Sequence, residues 1–104
     1  MARDPLVLQQ VKSVLDQINQ LAPGHSVELR VPPFAAIQCV DGPKHTRGTP
    51  ANVVEMSAEV LFGLLDNSVT WEDGISDGRI TASGERSDLS GLFKRAAQTI
   101  RIIE

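Results

Sequence analysis

The chain has 104 residues, with 10 Lys and Arg against 13 Asp and Glu, for a formal charge of −3. Domains cluster around ~100–150 residues, so one domain spanning residues 1–104 is expected, with one core burying roughly two-thirds of the unfolded surface. The lone cysteine, Cys39, excludes an intrachain disulfide and a cysteine-rich zinc site. No apolar run reaches the ~18–20 residues of a transmembrane segment, and no signal-peptide core opens the chain. An acidic chain with one Trp, three Phe and no Tyr is poorly equipped for nucleic acid. A cytoplasmic globular protein is the expectation.

The first predicted element is a helix. Asp4 is a good N-cap and Pro5 suits the first helical position, where a missing N–H costs nothing. Val7, Val11, Val14, Leu15, Ile18 and Leu21 recur at helical spacing, and Pro23-Gly24 stops the run. The polar face carries Gln9, Lys12, Asp16 and Gln17 and is nearly neutral, which favours packing on a sheet over lying on a membrane.

Val27, Leu29 and Val31 alternate with Glu28 and Arg30, as in a half-buried strand that Pro32-Pro33 ends. A second strand from Phe34 to about Val40 is apolar or small on both faces, which predicts a place inside the sheet. Residues 42–50 read as an irregular loop, and Asn52–Met56 as a third strand.

Ser57 caps a short helix with Val60, Leu61, Leu64 and Leu65 on its apolar face. Thr70 starts another turn of helix carrying Trp71 and Ile75. Arg79–Ser83 reads as a fourth strand with Ile80 and Ala82 on one side. Ser87 is expected to cap a last helix with Leu89, Leu92, Phe93, Ala96 and Ile100 on its packing face. Residues 100–104 fit either that helix or a fifth strand. The fold class is therefore α+β: a mostly antiparallel sheet of four or five strands with helices packed on one face.

Charge is unevenly placed. Residues 52–78 hold six acidic side chains and no Lys or Arg, which reads as an acidic solvated face. A nucleophile needs a neighbouring base, and Cys39 with His45 is the one candidate pair. Cys39 sits in an apolar strand, where a free cysteine acts as a small hydrophobe, so no catalytic residue is assigned. No metal-ligand spacing and no glycine-rich phosphate motif is present, so neither metal nor cofactor is expected. Lys44, His45, Arg47 and Thr49 concentrate donors and positive charge in one loop, read either as a solvated hairpin loop or as an anion-binding loop. Short apolar helices above small strand residues such as Ala35, Ala36 and Ala82 make either an ordinary core or an apolar cavity.

Val31-Pro32-Pro33-Phe34-Ala35-Ala36-Ile37-Gln38-Cys39, within a run from Val27 to Pro43, continues into His45-Thr46-Arg47-Gly48-Thr49-Pro50 and Asn52-Val53-Val54-Glu55. This stretch resembles the small bacterial orthologues of the sterol carrier protein 2 superfamily. Trp71, Gly78-Arg79-Ile80-Thr81-Ala82-Ser83-Gly84 and Ser87-Asp88-Leu89 resemble a later segment of the same superfamily. The resemblance spans about residues 25–93. It implies helices over one face of a mostly antiparallel five-stranded sheet, and an apolar tunnel that in well-studied members binds sterols, fatty acids or fatty acyl-CoA.

On that basis the expected function is a small non-catalytic carrier of a hydrophobic or acyl small molecule. Phe34, Ile37, Val54, Leu61, Leu64, Leu65 and Trp71 are expected to border the cavity. An alternative is a stand-alone accessory domain, similar to the C-terminal domains of mycothiol-dependent maleylpyruvate isomerases. There Arg47 or Arg79 would contact an anionic substrate or thiol cofactor. A homodimer joined through a sheet face or edge is the third, purely structural reading.

Overall fold

Asp4 opens the first helix as expected. In the computed structural model, which describes residues 4–42 and 52–103, its carboxylate accepts the backbone N–H groups of Leu6 and Val7 at 2.9 and 3.4 Å. The helix, α1, runs Pro5–Leu21 and buries Val11, Val14, Leu15 and Ile18. Seven further elements follow: β1 (Val27–Val31), β2 (Ala35–Cys39), β3 (Val53–Met56), α2 (Ala58–Asp66), α3 (Trp71–Ser76), β4 (Ile80–Ser83) and α4 (Ser90–Thr99).

The four strands form one sheet in the order β2-β1-β3-β4. The β1–β2 hairpin is antiparallel and turns through a cis peptide between Pro32 and Pro33, closed by the Phe34 N–H on the Val31 carbonyl at 2.9 Å. β3 and β4 are also antiparallel, but the central pair β1–β3 is parallel, so the sheet is mixed. β2, expected inside the sheet, is an edge strand with Ala36 and Gln38 exposed. Its apolar run misleads because small side chains such as alanine lose little by facing water.

Register explains the two faces. Val27, Leu29 and Val31 pair across the sheet with Cys39, Ile37 and Ala35 on one side, and Leu29 faces Val54 on the other. This face meets the helices: Leu29, Val31, Cys39 and Val54 are 0% exposed. The opposite face carries Glu28, Arg30, Gln38, Glu55 and Thr81, and the Arg30 guanidinium there donates to Glu28. Helices on one face of the sheet therefore hold as expected.

Helix α1 lies against β2, α3 against β4, and α2 against α4. Ser57 caps α2 through the Val60 N–H, and Thr70 caps α3 through the Asp73 N–H. Ile75, expected on the same turn of helix as Trp71, is 40% exposed, because a six-residue helix turns only Trp71 and Gly74 inward. Ala82 is likewise exposed at the edge strand, while Ile80 is buried. Ser87 does not cap α4; its hydroxyl closes the preceding turn on the Gly84 carbonyl at 2.7 Å, and Asp88 accepts the Ser90 N–H instead at 3.0 Å.

The helix ends at Thr99, and residues 101–103 form neither helix nor strand. They run along α1, where Gln10 donates to the Ile103 carbonyl at 2.8 Å and Gln17 to the Arg101 carbonyl at 2.9 Å. Two glutamine side chains on α1 take the place of a neighbouring strand. Among the described residues no fifth strand is present.

Candidate ligand-binding site

Two parts of the chain distant in sequence build a wide concavity. The first is the junction of α1 with the end of the hairpin. After Pro23 the chain turns at Gly24 (φ +149°), where a Cβ would lie 2.1 Å from the Val40 carbonyl oxygen, so only glycine allows this approach. Val40 itself has φ 69°. Its N–H donates to the Ala22 carbonyl at 2.7 Å, and its carbonyl accepts the Ser26 hydroxyl at 2.8 Å. These bonds fix Leu21, Ala22 and Val40 as one wall.

The second part is the turn before α4. Asn52, buried at the start of β3, accepts the Arg86 N–H on Oδ1 at 2.9 Å and donates from Nδ2 to the Ser26 carbonyl at 2.8 Å. That bond sets the direction of residues 86–89. Leu89 and Leu92 then supply a second apolar wall, and Arg86 and Arg95 reach the same space.

The groove between the walls has a volume of about 590 Å³. Ligand pockets run ~300–1,000 Å³, so it is large enough for a small amphiphile. Its charged members are Arg86, Arg95, Asp41 and Asp88. Among the described residues the ion pairs are Arg30–Glu28 and Arg79–Asp77, so neither groove arginine lies within 4 Å of a described carboxylate. Asp88 is held below the usual carboxylate range by the Ser90 backbone N–H, so it stays ionised at neutral pH. The Arg86 guanidinium lies over Gly42, where a Cβ would sit 3.1 Å from Cζ.

The seven residues expected around a cavity are distributed differently. Leu64 and Trp71 come together in a pocket of about 190 Å³ between α2, α3 and α4, where Trp71 stacks on Phe93 with centroids 6.0 Å apart. That volume falls below the ~300 Å³ at which ligand sites begin. Phe34 lines a separate, open hollow of about 350 Å³ with Pro32, Pro33 and Arg30 at the hairpin turn. Ile37 is half-buried on β2, Leu65 is buried on α2, and Val54 and Leu61 are 0% exposed in the core. Lys44, His45, Arg47 and Thr49 lie outside the described residues.

Cys39 sits on the core face of β2 with no exposed surface, and burial pushes its thiol up to about 11. A protonated, enclosed thiol is a poor nucleophile at neutral pH. Its proposed partner His45 lies outside the described residues. Among the described residues no group of three His, Cys, Asp or Glu is placed to hold a metal ion.

Leu21, Leu89 and Leu92 carry a sequence signal only for packing. Arg86 and Arg95 carry none, because the approach of Arg86 to Gly42 and the place of both arginines in one groove depend on the fold.

A four-stranded mixed sheet covered on one face by four helices, with a groove at the helix ends, defines an α+β domain of the sterol carrier type. A family model described as bacterial SCP ortholog matches residues 3–94, and the chain belongs to that family. Among solved structures it is similar to "UbiJ-SCP2 Ubiquinone synthesis protein", with 18% identity over 97% of this chain and 99% of that one at a TM-score of 0.50. It is also similar to the sterol carrier protein domain 2 of Helicoverpa armigera, with 16% identity over 99% of both chains at a TM-score of 0.52. At these identities the likeness is one of fold. No curated protein matches in sequence. The family is one of lipid-carrier domains, and no described helix is long and apolar enough to cross a membrane.

Proposed function

We propose that the protein is a small cytoplasmic, non-catalytic carrier that binds a hydrophobic or acyl small molecule in the groove between α1 and α4. The observation that supports this most directly is the groove's size, about 590 Å³, together with its apolar walls from Leu21, Val40, Leu89 and Leu92. Burial of an acyl chain against them removes apolar surface from water, worth roughly 25 cal/mol per Å² before the costs of binding. The buried, protonated Cys39 supports a role without covalent chemistry. The accessory-domain alternative is not favoured by the family match, which is to bacterial SCP orthologues.

Titration with a fluorescent fatty acid, followed by displacement with unlabelled fatty acid and with a sterol, tests the proposal. Saturable binding is expected. Leu21→Glu places a charge on the apolar wall and should weaken it about tenfold or more. A titration that never saturates, or one unchanged in Leu21→Glu, rejects the groove as the carrier site.

A further inference from the structure

We propose that Arg86 and Arg95 form an anion-binding site at the mouth of the groove, recognising a carboxylate or phosphate group. Where that group is the head of an amphiphile, the inference rests on the carrier reading; where it is a free anion, it stands alone.

Arg86 and Arg95 share one concavity with leucine walls on either side. Arg30 and Arg79, by contrast, are each paired with a carboxylate two residues away in sequence. The sequence between Gly42 and Asn52 contains no Asp or Glu, so that connection brings no carboxylate to the groove. Guanidinium groups with no ion-pair partner among the described residues, set beside apolar surface, match a ligand with a charged end and a greasy body. Their planar, forked donors suit the two oxygens of a carboxylate or phosphate.

Arg86 is also held in place. Its backbone N–H is fixed by Asn52 Oδ1 at 2.9 Å, and its guanidinium rests over Gly42, with Nε, Cζ and Nη1 3.1–3.2 Å from where a Cβ would be. Fixing the side chain before binding lowers the entropy lost when an anion arrives. Asp41 and Asp88 share the lining and temper the attraction. Asp88 is committed to the Ser90 N–H, whereas no described hydrogen bond engages the Asp41 carboxylate.

The test compares three probes on the full chain: inorganic phosphate, palmitate, and hexadecanol, which has the same chain length and a neutral head. The probes are run on wild type and on Arg86→Gln/Arg95→Gln. Palmitate should bind at least about tenfold more tightly than hexadecanol, because charge-assisted hydrogen bonds from the arginines favour a carboxylate head over a neutral hydroxyl. The double variant should erase that gap by bringing palmitate down to the affinity of hexadecanol. Added salt should weaken palmitate and not hexadecanol.

If phosphate binds wild type, is lost in the double variant, and neither chain compound binds, the anion site stands and the carrier reading falls. If palmitate and hexadecanol bind equally and phosphate does not bind, the carrier reading stands and the anion site is overturned. A palmitate preference that survives in the double variant also overturns it.

Discussion

Asn52 accepts the backbone N–H of Arg86 at 2.9 Å across 34 residues of sequence. The same side chain donates to the Ser26 carbonyl at 2.8 Å, and its backbone carbonyl accepts the Glu28 N–H at 3.0 Å. One buried amide thus joins the start of β1, the start of β3 and the turn into α4.

Asn52→Ala leaves the buried Ser26 carbonyl and the partly buried Arg86 N–H without their partner. Each such loss costs ~1–3 kcal/mol, so the variant should be less stable by about 2–4 kcal/mol in urea unfolding. A change below about 0.5 kcal/mol would show that water replaces the amide freely. The affinity of the groove should fall with it, because residues 86–89 lose their anchor.

Cys39 gives a pH-dependent prediction. Burial raises its thiol from 9.0 to about 11, so the folded chain favours the protonated form. That contribution is fully present below pH 9 and is lost as pH climbs from 9 through 11, by about 3 kcal/mol in all. Cys39→Ala should remove this part of the alkaline decline. In the native protein at pH 8 a thiol reagent should react far more slowly than in urea.

Two glycines are expected to respond in opposite directions. A Cβ on Gly74 would lie 2.4 Å from Ile80 Cδ1, where α3 rests on β4. Gly74→Ala should therefore cost about 1–3 kcal/mol through overpacking. Gly91, in the first turn of α4, faces open space. Gly91→Ala should add a few tenths to about 1 kcal/mol through helix propensity. Thermal melts of both variants decide the point.

The C-terminal segment is tied to α1 by side chains alone. Gln10 and Gln17 hold the Ile103 and Arg101 carbonyls, and the Arg101 N–H donates back to Gln17 Oε1 at 3.3 Å. Gln10→Ala/Gln17→Ala should speed tryptic cleavage after Arg101 severalfold while shifting the melting temperature by only a few degrees. Equal cleavage rates would mean that Ile102, packed against the core, holds the segment unaided.

Much of this architecture was legible from local pattern. Asp4, Ser57 and Thr70 each cap the helix they precede, and Val27, Leu29 and Val31 face the core as their alternation requires. The parallel β1–β3 pairing was not legible, because a period-two pattern reveals which face is buried and not which strand is the neighbour. Ile75 shares α3 with buried Trp71, and Ala82 shares one side of β4 with buried Ile80, yet helix length and edge position leave Ile75 and Ala82 exposed. Of the seven residues expected around a cavity, Leu64 and Trp71 meet in the smaller pocket and none lines the groove, while Arg86 over Gly42 is a tertiary contact with no trace in either local segment.

The parallel central pair also dictates how this sheet must assemble. β1 reaches β2 through a three-residue turn, so the contacts of the hairpin are local in sequence. The partners in the parallel pair, Leu29 and Val54, are joined by a much longer loop. Aligning them therefore carries a larger loop-closure cost than any pairing within the hairpin.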